Sequence, residues 1–181
     1  RYNGGGYLGI SGVLGTMIAG DKAYGQVFEN IIFNDKYRQY DPIYGQLIEP
    51  FLFPETTLGY STKAGTPLPN LNLSRVFIIS TSDTASASEA LVNSLRGIDV
   101  EVILIGEATN GKPYGFYGAD NCGTTYYTVQ YKGTNAKGFG DYAEGFIPSA
   151  VDNGTDRVKG CLVADDLSSA LGNTNEKMLG T

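Results

Sequence analysis

The fold is decided by two apolar stretches, Arg75-Val76-Phe77-Ile78-Ile79-Ser80 and Val100-Glu101-Val102-Ile103-Leu104-Ile105. Each has the length and continuous hydrophobicity of a strand buried on both faces of a parallel sheet. Between them, the small and apolar residues from Ser86 to Arg96 recur at helical spacing, and Gly97 is a typical helix stop. Strand, helix and strand in this order predict a βαβ unit with a right-handed parallel crossover, and therefore an α/β fold.

The flanking sequence is less regular. On the N-terminal side, residues Leu8 to Ala19 predict a helix, Val27 to Phe33 a short strand, and Tyr37 to Asn70 an irregular excursion rich in Tyr, Pro, Gly and Thr. On the C-terminal side, Tyr126 to Tyr131 predicts a strand and Leu162 to Leu171 a short helix. The chain contains neither an internal repeat nor a low-complexity segment, so we expect a single domain over residues 1–181.

Composition excludes several function classes. The chain has 181 residues, of which 41% are hydrophobic and 18% charged, and this balance is typical of a globular protein. Its net charge is −6 and it has no basic stripe, so we expect no nucleic-acid partner. No apolar run approaches the ~20 residues that a membrane-spanning helix needs.

The chain has no histidine, and this absence limits its chemistry. Ser-His-Asp triads, Cys-His pairs and HExxH zinc sites are all excluded. With only Cys122 and Cys161 as thiol ligands, we expect no metal site. The two cysteines are either unpaired thiols or a single disulfide bridge of an exported protein, and the sequence leaves both alternatives open.

The segment Thr84-Ala85-Ser86-Ala87-Ser88-Glu89 lies between the first buried strand and the predicted helix. Free N–H groups and the positive end of the helix dipole at this point would stabilise a developing oxyanion. Ser86 is therefore a candidate nucleophile. The alternative is that Ser86 is only a helix cap, a position that Ser, Thr and Asp commonly occupy.

A candidate base follows the second strand, in Gly106-Glu107-Ala108-Thr109-Asn110-Gly111-Lys112. In a parallel sheet the carboxyl ends of neighbouring strands open onto the same edge, so Ser86 and Lys112 should meet there. Lysine replaces histidine as the base in some serine enzymes, provided that its environment favours the neutral amine. The alternative for a single lysine after a glycine is a solvated surface residue.

The glycine loop Gly4-Gly5-Gly6 near the start of the chain allows backbone N–H groups to approach a ligand without side-chain obstruction. Its spacing through Gly9 also satisfies the GxGxxG dinucleotide pattern. That alternative is weaker, because no strand precedes the loop in this sequence and no acidic residue stands at a convincing ribose-binding position. An oxyanion-binding loop fits better with Ser86 and Lys112.

In this order, the three segments resemble the C-terminal processing (tail-specific) serine peptidases. Members of that family carry a D-L-R-x-N-x-G-G loop, a [ST]-A-S-A-S-E segment and a G-x-x-T-x-G-K segment, here found at Arg1–Gly6, Thr84–Glu89 and Gly106–Lys112. The resemblance implies that Ser86 is the nucleophile and Lys112 the general base. It also implies an oxyanion hole formed by backbone N–H groups, those of Ala87 and of Gly5 or Gly6, with Ser88 as the first rival nucleophile.

The resemblance carries further expectations. It implies a Clp protease/crotonase-like core of ββα units with a mostly parallel sheet, no cofactor, and a protein or peptide substrate. It also implies export to the periplasm or cell envelope of a bacterium, and a PDZ-like domain upstream of a catalytic core that this chain contains only in part. One departure stands out, because many members have a lysine-orienting glutamine where this chain has Phe116.

Three functional hypotheses follow. The first is a serine endopeptidase that uses a Ser86–Lys112 dyad and an acyl-enzyme. The second, motivated by Phe116 and the aromatic-rich region from Tyr37 to Tyr60, is a peptide-binding homologue without catalysis. The third is an acyl-CoA enzyme of the crotonase type, against which stands the lack of a basic surface for the CoA phosphates.

Overall fold

The computed structural model of the protein describes residues 5–170 and 172–181. It is a mixed structure of helices and sheets that includes a parallel sheet, so the coarse α/β class is confirmed. Across the described residues, no helix combines the length and the apolar character that crossing a membrane would require.

Two α-helices pack against each other. Helix α1 spans Leu8–Ala19, as the sequence predicts, and continues into a 3-10 turn at Gly20–Ala23. Helix α2 spans Ala87–Gly97 and begins directly after Ser86. The described residues also form ten strands: β1 Val27–Ile32, β2 Phe51–Leu52, β3 Arg75–Ser80, β4 Glu101–Gly106, β5 Tyr114–Gly115, β6 Gly118–Asn121, β7 Thr124–Tyr127, β8 Tyr131–Thr134, β9 Ile147–Ser149 and β10 Arg157–Leu162.

One four-stranded sheet is parallel throughout, in the order β3-β4-β10-β9. The β3–β4 ladder runs from the pair Arg75 and Glu101 to the pair Ser80 and Gly106 without a register shift. Because the two strands end level with each other, the loops that follow Ser80 and Gly106 leave from the same edge of the sheet. This register is what brings residues 84–89 and 107–112 together.

The second four-stranded sheet, in the order β2-β1-β8-β5, is antiparallel, and β6 with β7 forms a separate antiparallel hairpin. Of the three sheets in the described part of the chain, the expectation of a mostly parallel sheet is therefore correct for one. A short turn joins β6 to β7, as antiparallel strands permit, whereas the β1–β8 pair joins residues as distant in sequence as Asn30 and Thr134. The finer expectation of repeated ββα units remains a prediction.

The hydrophobic core lies between the helices and the sheets. Phe28 of β1 is completely buried and meets Phe53 edge-to-face, with 5.0 Å between the ring centroids. From α2, Val92 and Leu95 are completely buried, as is Leu104 of β4. Each such side chain contributes roughly 1.5–3 kcal/mol by leaving water.

Two predicted elements are wrong. The strand predicted over Tyr126 to Tyr131 is divided, because β7 ends at Tyr127 in the hairpin and β8 starts at Tyr131 in the antiparallel sheet. The helix predicted over Leu162 to Leu171 is absent from its described residues. Leu162 is the last residue of β10, and the Asp166 side chain then accepts hydrogen bonds from the Ser168 N–H and hydroxyl. Such local bonds compete with helix formation.

Candidate active site

Ser86 is the N-cap of α2, at the end of the loop that leaves β3. Its backbone has φ 57° and ψ −120°, a conformation that costs a non-glycine residue on the order of 1–3 kcal/mol. Its carbonyl oxygen accepts a hydrogen bond from the Ala90 N–H at 2.8 Å, which begins the helix. Ser86 thus has the helix-capping position that one interpretation predicts, in a strained conformation of the kind that concentrates at functional sites.

Lys112 follows β4 in a loop whose path depends on Gly111. Gly111 has φ +87°, and a Cβ at this position would lie only 2.1 Å from the Ala143 carbonyl oxygen. Only glycine can therefore bring the chain this close to residues 143–145. The Lys112 ammonium nitrogen lies 4.8 Å from the centroid of the Phe116 ring, within the range of a cation–π contact.

The carboxylate of Glu89 joins the two loops. One oxygen, Oε2, accepts hydrogen bonds from the backbone N–H groups of Ser86, at 2.9 Å, and of Lys112, at 2.8 Å. The other, Oε1, accepts the Gly111 N–H and the Thr109 hydroxyl, both at 2.6 Å. Glu89 is completely buried, so it holds the backbone of both candidate catalytic residues at one rigid point.

Thr109 extends this hydrogen-bond network to the segment around Phe146. Its hydroxyl donates a hydrogen bond to Glu89 and accepts one from the Phe146 N–H at 2.7 Å. The backbone N–H of Thr109 in turn donates a hydrogen bond to the Phe146 carbonyl at 3.0 Å. A further backbone bond runs from the Asn110 N–H to the Thr84 carbonyl at 2.8 Å. Glu89 and Thr109 belong to the motifs recognised in the sequence, but a positioning role for them follows only from these contacts.

Ser86 and Lys112 line the same small cavity, of about 80 Å³. Ala87 and Gly6, two of the three predicted oxyanion-hole residues, line it as well, whereas Ser88 does not. Tyrosines and small residues form most of the remaining wall. The complete lining is Gly6, Leu8, Glu29, Ser86, Ala87, Ala90, Lys112, Pro113, Tyr114, Gly115, Tyr131 and Tyr142.

The glycine loop lies against the start of α2. Gly5 has φ +57°, and a Cβ there would lie 2.6 Å from the Ala87 nitrogen and 2.9 Å from the Ser88 nitrogen. The backbone of the loop therefore approaches the first N–H groups of the helix. The rest of the motif, residues 1–4, lies outside the described residues.

The two cysteines lie away from this cavity. Cys122 is in the turn between β6 and β7, Cys161 is in β10, and both are exposed, free thiols. Of the two alternatives that the sequence leaves open, the structure therefore has the unpaired one.

Glu29 is a cavity residue that the sequence analysis missed. It lies on β1, next to the core residue Phe28, and is only 7% exposed. Burial raises its pKa to about 7. Burial also raises the pKa of Tyr131 to about 12 and that of Tyr142 further, and in both the charge of Glu29 adds to the effect. An acid within the apolar run Val27–Phe33 is the signal that could have found it.

A second cavity, of about 410 Å³, is lined by charged residues at the C-terminal end of α2. Its charges are paired: Arg96 donates to Asp152 at 2.7 Å, and Lys137 bonds Asp99. The Asp99–Lys137 side chains are 80% and 52% exposed, so this cavity is an ionic, solvated surface.

No family model and no curated protein sequence matches this chain. Solved structures do. A crystal structure of a Bacteroides fragilis NCTC 9343 protein assigned to the S41 proteases matches with a TM-score of 0.72 and 27% identity, over 99% of this chain and 41% of that one. The photosystem II D1 C-terminal processing protease matches with a TM-score of 0.54 and 19% identity, over 81% of this chain and 31% of that one, and this likeness concerns the fold.

The chain thus spans less than half the length of either neighbour. The first likeness covers nearly all of its residues, including the segments around Gly5, Ser86 and Lys112 that carry the sequence motifs. These neighbours support the predicted resemblance to the C-terminal processing peptidases at the level of the fold.

Proposed function

We propose that this chain is the core of a serine endopeptidase in which Ser86 is the nucleophile and Lys112 the general base. The observation that carries the proposal is that both side chains line one cavity at the N-terminus of α2, with their backbones bonded to a single carboxylate. A nucleophile and a base held at a rigid point are what covalent catalysis requires.

In the proposed reaction the Ser86 hydroxyl attacks the peptide carbonyl carbon while its proton passes to the neutral Lys112 amine. The N–H groups of Ala87 and of Gly5 or Gly6 then stabilise the negative oxygen of the tetrahedral intermediate. Lys112 returns the proton to the leaving amine, and an ester between Ser86 and the substrate acyl group remains. Water activated by Lys112 hydrolyses this ester and restores Ser86.

We further propose that Phe116 replaces the orienting glutamine of many family members. Its ring lies 4.8 Å from the Lys112 nitrogen, so it contacts the end of this flexible side chain. Because the face of an aromatic ring attracts the ammonium form, the ring stabilises the protonated amine that forms when Lys112 accepts the proton of Ser86. Phe116→Gln should therefore keep activity, and Phe116→Ala should lose part of it.

The wider setting is proposed by analogy with the family. The natural substrate would be a protein or its exposed C-terminal tail, the catalytic domain would include residues 1–181, and a PDZ-like domain would precede it. The protein would act outside the cytoplasm, in the periplasm or cell envelope of a bacterium.

The test is hydrolysis of unfolded casein by the full-length protein that contains this chain. We expect cleavage by the wild type and no cleavage by folded Ser86→Ala and Lys112→Ala variants. Ser88→Ala is the matched control, because Ser88 lies two residues away and does not line the cavity. Equal cleavage by wild type and Ser86→Ala would overturn the nucleophile assignment. Tight peptide binding without cleavage by the wild type would favour the non-catalytic homologue.

A further inference from the structure

A buried carboxyl group in the Ser86–Lys112 cavity takes no part in the proposed reaction. Glu29 lines this cavity and is only 7% exposed. Within residues 5–170 and 172–181, no side chain or backbone group donates a hydrogen bond to its carboxyl oxygens. Burial of an acid without a donor is unfavourable, so its presence beside a candidate nucleophile calls for a function.

The neighbouring strand is adapted to this carboxyl group. Gly133 of β8 lies next to it, and a Cβ on Gly133 would lie 2.4 Å from the Glu29 carboxyl carbon and 2.6 Å from each oxygen. Any other residue at position 133 would displace the group. The missing side chain of Gly133 therefore leaves the space that the Glu29 carboxyl group occupies.

The surroundings define what the carboxyl group can bind. Of the residues that line the cavity, Glu29 is the only acid, and its electrostatic neighbours Tyr131 and Tyr142 are phenols kept neutral by burial. A free acceptor in such a wall favours a ligand that brings a hydrogen-bond donor. The volume of about 80 Å³ equals that of two or three waters at ~30 Å³ each, so it suits a side chain of two to four non-hydrogen atoms.

We propose that Glu29 is a specificity-determining residue, which accepts a hydrogen bond from a short donor side chain of the substrate, that of serine, threonine or asparagine, next to the scissile bond. The inference rests on the proposed peptidase function, because it places a substrate residue in the Ser86–Lys112 cavity. It adds a preference that the dyad does not supply. A site built around a hydrogen bond discriminates strongly against analogues that lack the donor, since its buried acceptor is then left unpaired.

The test uses matched peptides that differ only at the residue preceding the scissile bond, which is Ser, Thr, Ala, Val or Lys. For the full-length wild type we expect kcat/KM for Ser to exceed that for Ala by on the order of tenfold. Glu29→Met keeps the length of the side chain but has no carboxyl acceptor, and it should remove this preference. Glu29→Gln retains one oxygen acceptor and should keep part of it. Glu49→Met, at an exposed glutamate outside the cavity, is the control and should match the wild type.

The outcomes separate the two proposals. Cleavage of every peptide with the same Ser-to-Ala ratio in wild type and Glu29→Met would overturn the role of Glu29 and leave the peptidase intact. A preference for Lys would overturn the short-side-chain assignment. If the wild type cleaves no peptide, the dyad fails, and calorimetric binding of the same peptides still decides the inference: tighter binding of Ser than Ala, lost in Glu29→Met, supports it, and equal binding overturns it.

Discussion

Two buried glutamates lie at the candidate active site, and their surroundings differ. Glu89 is completely buried and accepts four hydrogen bonds, three from backbone N–H groups and one from a hydroxyl. Glu29 is almost as buried, yet none of the described residues donates a hydrogen bond to it, and its pKa rises to about 7. The same side chain is therefore a structural junction in one place and an unsatisfied acceptor in the other.

The difference shows how one site can combine a fixed backbone geometry with an acceptor that is free to bind a ligand. Around Glu89, every acceptor position has a donor supplied by the fold, so the geometry of Ser86 and Lys112 is set before any substrate arrives. Around Glu29, none of the described residues supplies a donor, and the carboxyl group faces a cavity that a ligand could enter. Four predictions test this contrast, beginning with the largest expected effect.

Removing the Glu89 carboxylate should have the largest effect. Glu89→Ala leaves one buried and three half-buried donors without an acceptor, so we expect a loss of about 3–5 kcal/mol in the free energy of unfolding, measured by urea denaturation. Glu89→Gln, which keeps the shape and one oxygen, should lose less stability but should still reduce casein hydrolysis. Wild-type stability and activity in Glu89→Ala would contradict the role of Glu89 as a junction.

Glu29, unlike Glu89, should lower the stability of the folded protein at neutral pH. Its pKa in the folded protein, about 7, lies above the ordinary value of 4.5, so the folded state retains a proton that the unfolded state has released. The free energy of unfolding should therefore fall as the pH rises from 4.5 through 7, by about 3 kcal/mol. Tyr131 and Tyr142 stay neutral in this range, because their pKa values are raised.

Glu29→Gln removes the titrating group, so it should be more stable than the wild type by this amount at pH 8 and nearly equal to it at pH 4.5. Urea denaturation of both proteins across this range is the measurement. A difference in stability that does not change with pH would show that Glu29 titrates normally.

The strained backbone of Ser86 should give a smaller effect. Alanine at this position keeps the strain of φ 57°, whereas glycine adopts this conformation without it. We therefore expect Ser86→Gly to be more stable than Ser86→Ala by about 1 kcal/mol, with both inactive. Thermal denaturation of the two variants compares them directly. Greater stability of the alanine variant would mean that the backbone at residue 86 is unstrained.

Breaking the exposed Asp99–Lys137 ion pair at the second cavity should have the smallest effect on stability, in contrast to substitutions of the buried glutamates. Lys137 lowers the pKa of Asp99 through a hydrogen bond, so the pair acts above the ordinary pKa of aspartate and is lost on acidification. Because both side chains are exposed, Lys137→Met should cost less than ~1 kcal/mol at pH 7, and still less in high salt. A larger, salt-independent loss would show that this surface is more rigid than its exposure indicates.

The catalytic chemistry is best predicted where the signal is local. The absence of histidine, the serine before a helix and the lysine after the next strand can all be recognised without knowing the fold. The role of Glu89 cannot, because its donors Thr109, Gly111 and Lys112 lie 20 to 23 residues away and reach it only when β3 and β4 end level. Glu29 was missed for a related reason, since its burial depends on β8, about 100 residues later.

By itself, the sequence determined the elements whose signal is contained in a short stretch: helix α1, strand β3, helix α2 and the parallel pairing of β3 with β4. Only the tertiary structure decided which distant strands join each sheet, where the run from Tyr126 to Tyr131 divides, and why Leu162 ends a strand. Hydrophobic periodicity reports how one segment would bury its own side chains. The choice of partner strand and the satisfaction of buried acceptors depend on contacts that form only after the chain has closed long loops.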